Sequence, residues 1–254
     1  MSRAAVQGAI SSPIESNIAV REQAVGHAER LTLASTALVP PAQGLCIVML
    51  GPDGTGKSTM RAHLLRELAP LFRQTRSYHF RPRVIGRIGP GRPIKQPHSM
   101  KARGKIASVL YLFTIFADYW LGYLLHIRSL LANSSLVVLD RYFHDILIDP
   151  VRYRYGGPMW LVRGLQFLVP PRDVLFLVLD ADEKIIFARK RELAFEELAR
   201  QRKAYVAWAK QQPNSLVVRT DRSIEQSAAD AVRAIVDYIN LQRIRQNLAA
   251  KVGN

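Results

Sequence analysis

The stretch "IVMLGPDGTGKSTM", Ile47 to Met60, decides how the rest of the chain is read. A short apolar run ends in a turn that holds three glycines, one lysine and the hydroxyl pair Ser58-Thr59. Gly51 to Ser58 fits G-x-x-x-x-G-K-[ST] at every fixed position, with a strand-like run before it and the helical pattern "STMRAHLLREL" after it. Glycines at 51, 54 and 56 let the backbone take positive φ and come close to phosphate oxygens. The amide N–H groups then point inward and cradle an anion, helped by the positive end of the following helix. Lys57 is placed to reach the β- and γ-phosphates, and the Ser58 hydroxyl suits Mg²⁺. The expected cofactor-binding stretch is Gly51, Pro52, Asp53, Gly54, Thr55, Gly56, Lys57, Ser58 and Thr59, with ATP and Mg²⁺ as its ligands. The competing reading is a tight strand-to-helix turn with a chance lysine; the strand and helix on its two sides speak against it.

Further along, apolar runs alternate with helical patterns. "LCIVML" (45–50), "LVVLD" (136–140), "VLFLVLD" (174–180) and "SLVV" (215–218) are apolar throughout, as strands buried on both faces are. A shorter strand is expected near 75–80. Helical patterns fall near 58–69, 106–132, 182–192, 195–212 and 223–248. This alternation predicts a P-loop α/β domain, doubly wound, with a parallel sheet of about five strands and helices on both faces. Residues 1–44 differ: three arginines balance three glutamates there, large apolar residues are few, and "VPPAQG" reads as a linker. They are expected to form an N-terminal extension ahead of a kinase-type domain at 45–254.

The chain has 254 residues, 48% of them apolar and 22% charged, which is ordinary for a globular protein with a proper core. Its 36 Lys and Arg exceed its 20 Asp and Glu, a net charge of +16 that attracts nucleotides, nucleic acid and acidic membranes alike. The single cysteine, Cys46, rules out an intrachain disulfide framework and fits a reducing, cytoplasmic setting. No uninterrupted apolar run opens the sequence, so a signal peptide is not expected. No guanine-specifying N-K-x-D motif occurs, and none of the five histidines between His63 and His144 shows metal-ligand spacing.

A second anchor is "LVVLDRYFHD", Leu136 to Asp145. A carboxylate ending a neighbouring strand can order Mg²⁺ or its waters, and the planar fork of Arg141 can clamp a second phosphate. With these residues the chain resembles the thymidylate kinase family. "GPDGTGKST" is similar to that family's phosphate loop, "DRY" to its D-R-[YH] motif, and "LFTIFADYW" to its F-A-A-D-R helix. The resemblance covers about 45–240. It implies transfer of the γ-phosphoryl of ATP to a nucleoside monophosphate, with Ser58 and Asp140 holding Mg²⁺ and Asp53 lying near the acceptor sugar. It also implies that Arg141, Tyr142 and Arg81 (with Arg83 second) contact the acceptor, that Arg189 or Arg191 closes from the lid, and that the protein forms a homodimer. The chain departs from the pattern where Tyr119 replaces the family's helix arginine and where "FHDILIDPVRYRYGG" replaces its acceptor-reading stretch. Phosphate-handling residues match; acceptor-reading residues differ.

Two other segments stand out. Arg76 to Lys105 carries nine Lys or Arg and no acid, as an acceptor-site loop, a solvated basic loop or a docking patch for anionic lipid or nucleic acid would. After Tyr78 and Phe80 at its start, no aromatic residue interleaves with the basic ones as base stacking would need, so nucleic acid is not expected as a partner. Ser108 to Leu125 runs 18 residues with one charge, Asp118, near the lower length for a membrane span. A charge in mid-segment and the need for a crossover before Leu136 favour a core helix, apolar nearly all round. The expected function is phosphoryl transfer from ATP to a small-molecule acceptor of the dTMP type. The alternatives are a kinase for a sugar or lipid-linked acceptor and a non-catalytic ATP-binding protein.

Overall fold

The structure, a computed structural model, describes residues 43–81, 84 and 100–252, all within one compact unit, Pro40–Asn254. The expected extension and Arg83 therefore lie outside the described residues, apart from Gln43 and Gly44. In chain order the elements are β1 (Leu45–Leu50), α1 (Lys57–Leu68), β2 (Thr75–His79), α2 (Lys105–Gly122), α3 (Arg128–Ala132), β3 (Leu136–Asp140), α4 (Asp145–Ile148), α5 (Met159–Leu165), β4 (Val174–Asp180), α6 (Glu183–Arg189), α7 (Phe195–Lys210), β5 (Ser215–Arg219) and α8 (Ile224–Val252). A π-helical turn, Tyr123–Ile127, joins α2 to α3.

The five strands are all parallel and lie in the order β2-β3-β1-β4-β5. This is the P-loop α/β fold, with the glycine-rich loop at the end of the central strand. β1, β3 and β4 are apolar because helices cover both faces of the sheet. Alternate side chains of β1 serve different layers. Ile47 and Met49 meet Met60, Leu64 and Leu68 of α1 together with Ala231 and Ile235 of α8. Cys46, Val48 and Leu50 meet Leu112, Ile115 and Tyr119 of α2 together with Val162 of α5 and Tyr205 of α7. The edge strands β2 and β5 are partly exposed, and their sequences are correspondingly more polar.

The register sets the site. Met49 lies beside Asp140 and Leu50 beside Val178, so the loops leaving β1 and β3 start side by side at one edge of the sheet. One expectation needs correcting. α2 does not bury itself nearly all round: Ser108, Leu112, Ile115, Asp118, Tyr119 and Gly122 face inward, while Ile106 and Leu110 remain 80% and 64% exposed. Its periodicity is that of a helix with one covered face.

His144 sits in the core, parallel to the Tyr142 ring and edge-on to Phe176. Burial pushes its pKa down to about 3 from 6.5. The unfolded chain therefore takes up a proton near pH 6.5 that the folded chain refuses until about 3, and stability falls as pH drops through that window. Denaturant unfolding of the parent should lose up to about 1.4 kcal/mol per pH unit from this group alone. His144→Phe should show a flatter acid slope, and identical slopes would contradict the assignment.

Candidate phosphate-binding site

Gly51 leaves β1 at φ 136°, where an added Cβ would lie 2.6 Å from the Leu179 carbonyl oxygen. Gly56 caps α1 in the left-handed region, at φ 86°. Between them the loop turns tightly enough for Thr55 Oγ1 to donate to the Pro52 carbonyl at 2.8 Å. Lys57 folds back over the loop, and its Nζ donates to the carbonyls of Gly51 at 2.8 Å and Pro52 at 2.7 Å. Burial, followed by the Arg141 charge, pushes its pKa down to about 8. Ser58 and Thr59 are exposed on the first turn of α1.

Asp53 is the hub of the site. Its Oδ1 pairs with Arg141 Nη2 and lies 3.5 Å from Lys57 Nζ; its Oδ2 accepts from Arg152 Nη1 at 2.7 Å and lies 3.5 Å from Lys190 Nζ. Burial alone would raise this carboxyl, but the four cations, Arg141 foremost, hold it far below the usual carboxylate range. Arg141 is itself held at φ 76°, unusual for a non-glycine residue and a cost of order 1–3 kcal/mol. It stays there because its N–H donates to the Met49 carbonyl at 3.0 Å and its guanidinium is gripped from two sides. Behind it lies Asp145, fully buried, 3.4 Å from Arg141 Nη1, accepting from the Tyr142 N–H at 2.7 Å and the Tyr205 hydroxyl at 2.5 Å.

Asp140 ends β3 within reach of Arg61 Nη1 (3.3 Å) and His79 Nδ1 (3.4 Å). Burial pushes its pKa up, but His79, Lys57 and Arg141 outweigh that and keep it ionised. Its Oδ1 is buried with no hydrogen-bond partner among the described residues. A free, charged carboxylate oxygen and an exposed serine hydroxyl are hard oxygen donors of the kind Mg²⁺ takes alongside phosphate and water. Ser58 and Asp140 therefore fit that ion. Among the described residues, no cluster of three or more His, Cys, Asp or Glu forms an all-protein metal cage.

Beside the loop opens a cavity of about 200 Å³, lined by Thr55, Gly56, Thr59, Arg189, Thr220 and Ala228 among others. Arg189 Nη2 donates to the Thr220 carbonyl at 2.9 Å, which stations it at the cavity wall. Arg191, the other lid candidate, lies instead over the Phe187 ring at 5.5 Å. Arg81 Nε is 3.6 Å from Asp118 Oδ2 of α2, and Arg81 Nη1 is buried with no hydrogen-bond partner among the described residues. Tyr142 does not reach the site: it is 1% exposed, and its hydroxyl points to the Val169 and Pro171 carbonyls at 3.4 and 3.5 Å.

Sequence reading missed Arg152, Lys190, Arg61 and Asp145. Arg152 stands in the very stretch that departs from the thymidylate kinase pattern, and Lys190 lies between the two lid candidates that were singled out. No local motif marks either.

A five-stranded parallel sheet in this order, with a glycine-rich phosphate loop at the end of its central strand, defines a P-loop NTPase-type α/β protein. No protein-family model matches the chain, and no curated protein sequence matches it. Among solved structures, the crystal structure of thymidylate kinase from Ehrlichia chaffeensis is similar, with a TM-score of 0.52 at 19% identity, covering 76% of this chain and 98% of that one. A likeness at that identity speaks for the fold, and the described architecture agrees with it.

Removing the hub should cost stability. Asp53→Ala leaves Arg141 and Lys57, both nearly buried, without their shared counter-charge, and breaking a buried pair costs about 3–5 kcal/mol. Arg66→Ala, which breaks an exposed pair with Glu67, should cost at most about 1 kcal/mol. Urea denaturation of the two variants checks the contrast; equal losses would contradict the hub.

Proposed function

We propose that this chain is an ATP-dependent phosphotransferase whose acceptor carries a phosphate, with a nucleoside monophosphate of the dTMP type first in line (dTMP + ATP to dTDP + ADP). One observation carries the reading: Arg141 and Arg152 reach Asp53 across the loop that also holds Lys57. Cations suited to two separate phosphate groups thus meet over one carboxylate. The name of the structural neighbour, thymidylate kinase, supports the same class.

In this reading the loop amides and Lys57 bind the donor phosphates, displacing Lys57 from the carbonyls it now contacts. The cavity at Arg189 takes the donor base. Arg141 and Arg152 orient the acceptor phosphate, and Asp53 keeps both forks in place until it arrives. An oxygen of that phosphate attacks the γ-phosphorus in line while the bond to the ADP oxygen breaks. Lys57 and Lys190 offset the charge that develops on the transferring group. Mg²⁺ held at Ser58 and, directly or through water, Asp140 would supply further neutralisation of the phosphates. Most of the rate enhancement comes from positioning and fixed charge rather than proton transfer.

Two outcomes are expected. A coupled ADP-release assay with ATP and Mg²⁺ should rise with dTMP or another nucleoside monophosphate, and Lys57→Ala should keep its fold and lose most turnover. Parent-rate transfer by Lys57→Ala would overturn the mechanism, and turnover only with sugar phosphates would move the acceptor to another class. Because Lys57 titrates near pH 8 in the free protein, binding a nucleotide anion around that pH should take up protons. Calorimetry in two buffers of different ionisation enthalpy measures that uptake, which should vanish in Lys57→Gln; unchanged uptake in that variant would assign it elsewhere.

A further inference from the structure

We propose that the outward surface of α2, with α5 and the turn after it, docks the protein peripherally on an anionic lipid surface. The exposed side chains of α2 and its continuation follow helical spacing: Ile106, Leu110, Phe113, Leu121 and Leu124 recur on one stripe opposite the residues that pack on the sheet. α5 adds Trp160, 68% exposed, and the turn after it adds Phe167, 73% exposed. Both helices bury their other faces in the same core layer, so these side chains belong to one side of the molecule.

The charges around them choose the occupant. From Lys101 to Leu139 the one acid is Asp118, which is fully buried, and from Pro150 to Arg172 there is none. Lys101, Lys105, Arg128 and Arg163 are exposed beside the apolar side chains. The exposed charges of these segments are all cationic, so a two-fold self-association through this face would set one positive surface against another. An anionic bilayer surface instead pairs with them while its acyl boundary takes up the leucines and aromatics, the pattern of helices that lie in a membrane interface. Aliphatic side chains would gain nothing from a nucleic-acid backbone. A membrane crossing by α2 is ruled out by its attachments. Asp118 pairs with Arg81 at 3.6 Å, the Tyr119 hydroxyl donates to the Phe80 carbonyl, and Leu112 and Ile115 pack in the core.

The test is co-sedimentation of the full chain with vesicles of phosphatidylcholine containing phosphatidylglycerol, against vesicles of phosphatidylcholine alone. Binding should require the anionic lipid and weaken as salt rises. Leu110→Asn with Phe113→Asn should lower the partition coefficient at least about tenfold, since each loses a buried apolar side chain's worth of transfer energy. Lys105→Glu with Arg163→Glu, at exposed sites where folding is not at stake, should lower it as well. Thermal midpoints and nucleotide binding should stay at parent values. Equal binding to both vesicles, no binding to either, or parent-like binding by both double variants would overturn the proposal. So would a parent dimer in sedimentation velocity that Leu110→Asn dissociates, which would make the face a self-association surface.

Discussion

The ion pair between Arg141 and Asp53 is the contact on which the site depends. It ties the loop after β1 to the residue that follows β3, and these are adjacent only because the two strands run parallel with Met49 beside Asp140. Two like charges about 4 Å apart repel by roughly 4 kcal/mol at an effective dielectric near 20. Lys57, Arg141, Arg152 and Lys190 could not gather around the loop without a counter-charge, and Asp53 provides it to all four. Asp145 then fixes Arg141 from the buried side, so the guanidinium is aimed before any ligand arrives. The left-handed backbone of Arg141 is tolerated for the same reason: two carboxylates and a main-chain hydrogen bond outweigh its strain.

A related arrangement closes the end of β4. Asp180 accepts from Arg202 Nε at 2.6 Å and from Arg219 Nη1 at 2.8 Å, while Arg202 Nη1 lies 2.6 Å from Glu183. This network joins β4, β5, α6 and α7 beside the segment that carries Arg189 and Lys190. The large excess of arginine is thus partly absorbed at strand ends, where a parallel sheet sets its carboxylates in a row.

The sequence makes the central part of the fold legible because central parallel strands must be apolar on both faces. β1, β3 and β4 read as uninterrupted apolar runs, and the loop between β1 and α1 carries its own pattern of glycines and lysine. Short elements with weaker composition, α4 and α5, are not legible, since four or seven residues do not establish a period. The site divides in the same way. Lys57, Ser58 and Asp140 lie at positions a motif defines. Arg152 is 99 residues from its partner Asp53, and only the sheet register brings them together. α2 shows a different limit. An apolar helix reads as core, but composition alone does not say whether every face is covered by this chain or one face is kept for something else.

The sole cysteine has a practical consequence. Cys46 lies in the middle strand, 1% exposed, and burial pushes its thiol pKa upward, so it is neither reachable nor ionised while β1 is paired. Alkylation must wait for the central strand to leave the sheet. Thiol modification is therefore a built-in clock for the deepest opening of the molecule, in the native sequence and without any added label. Because Cys46 stands five residues before Gly51, a ligand seated in the loop would slow that clock in proportion to how firmly it holds β1 in place.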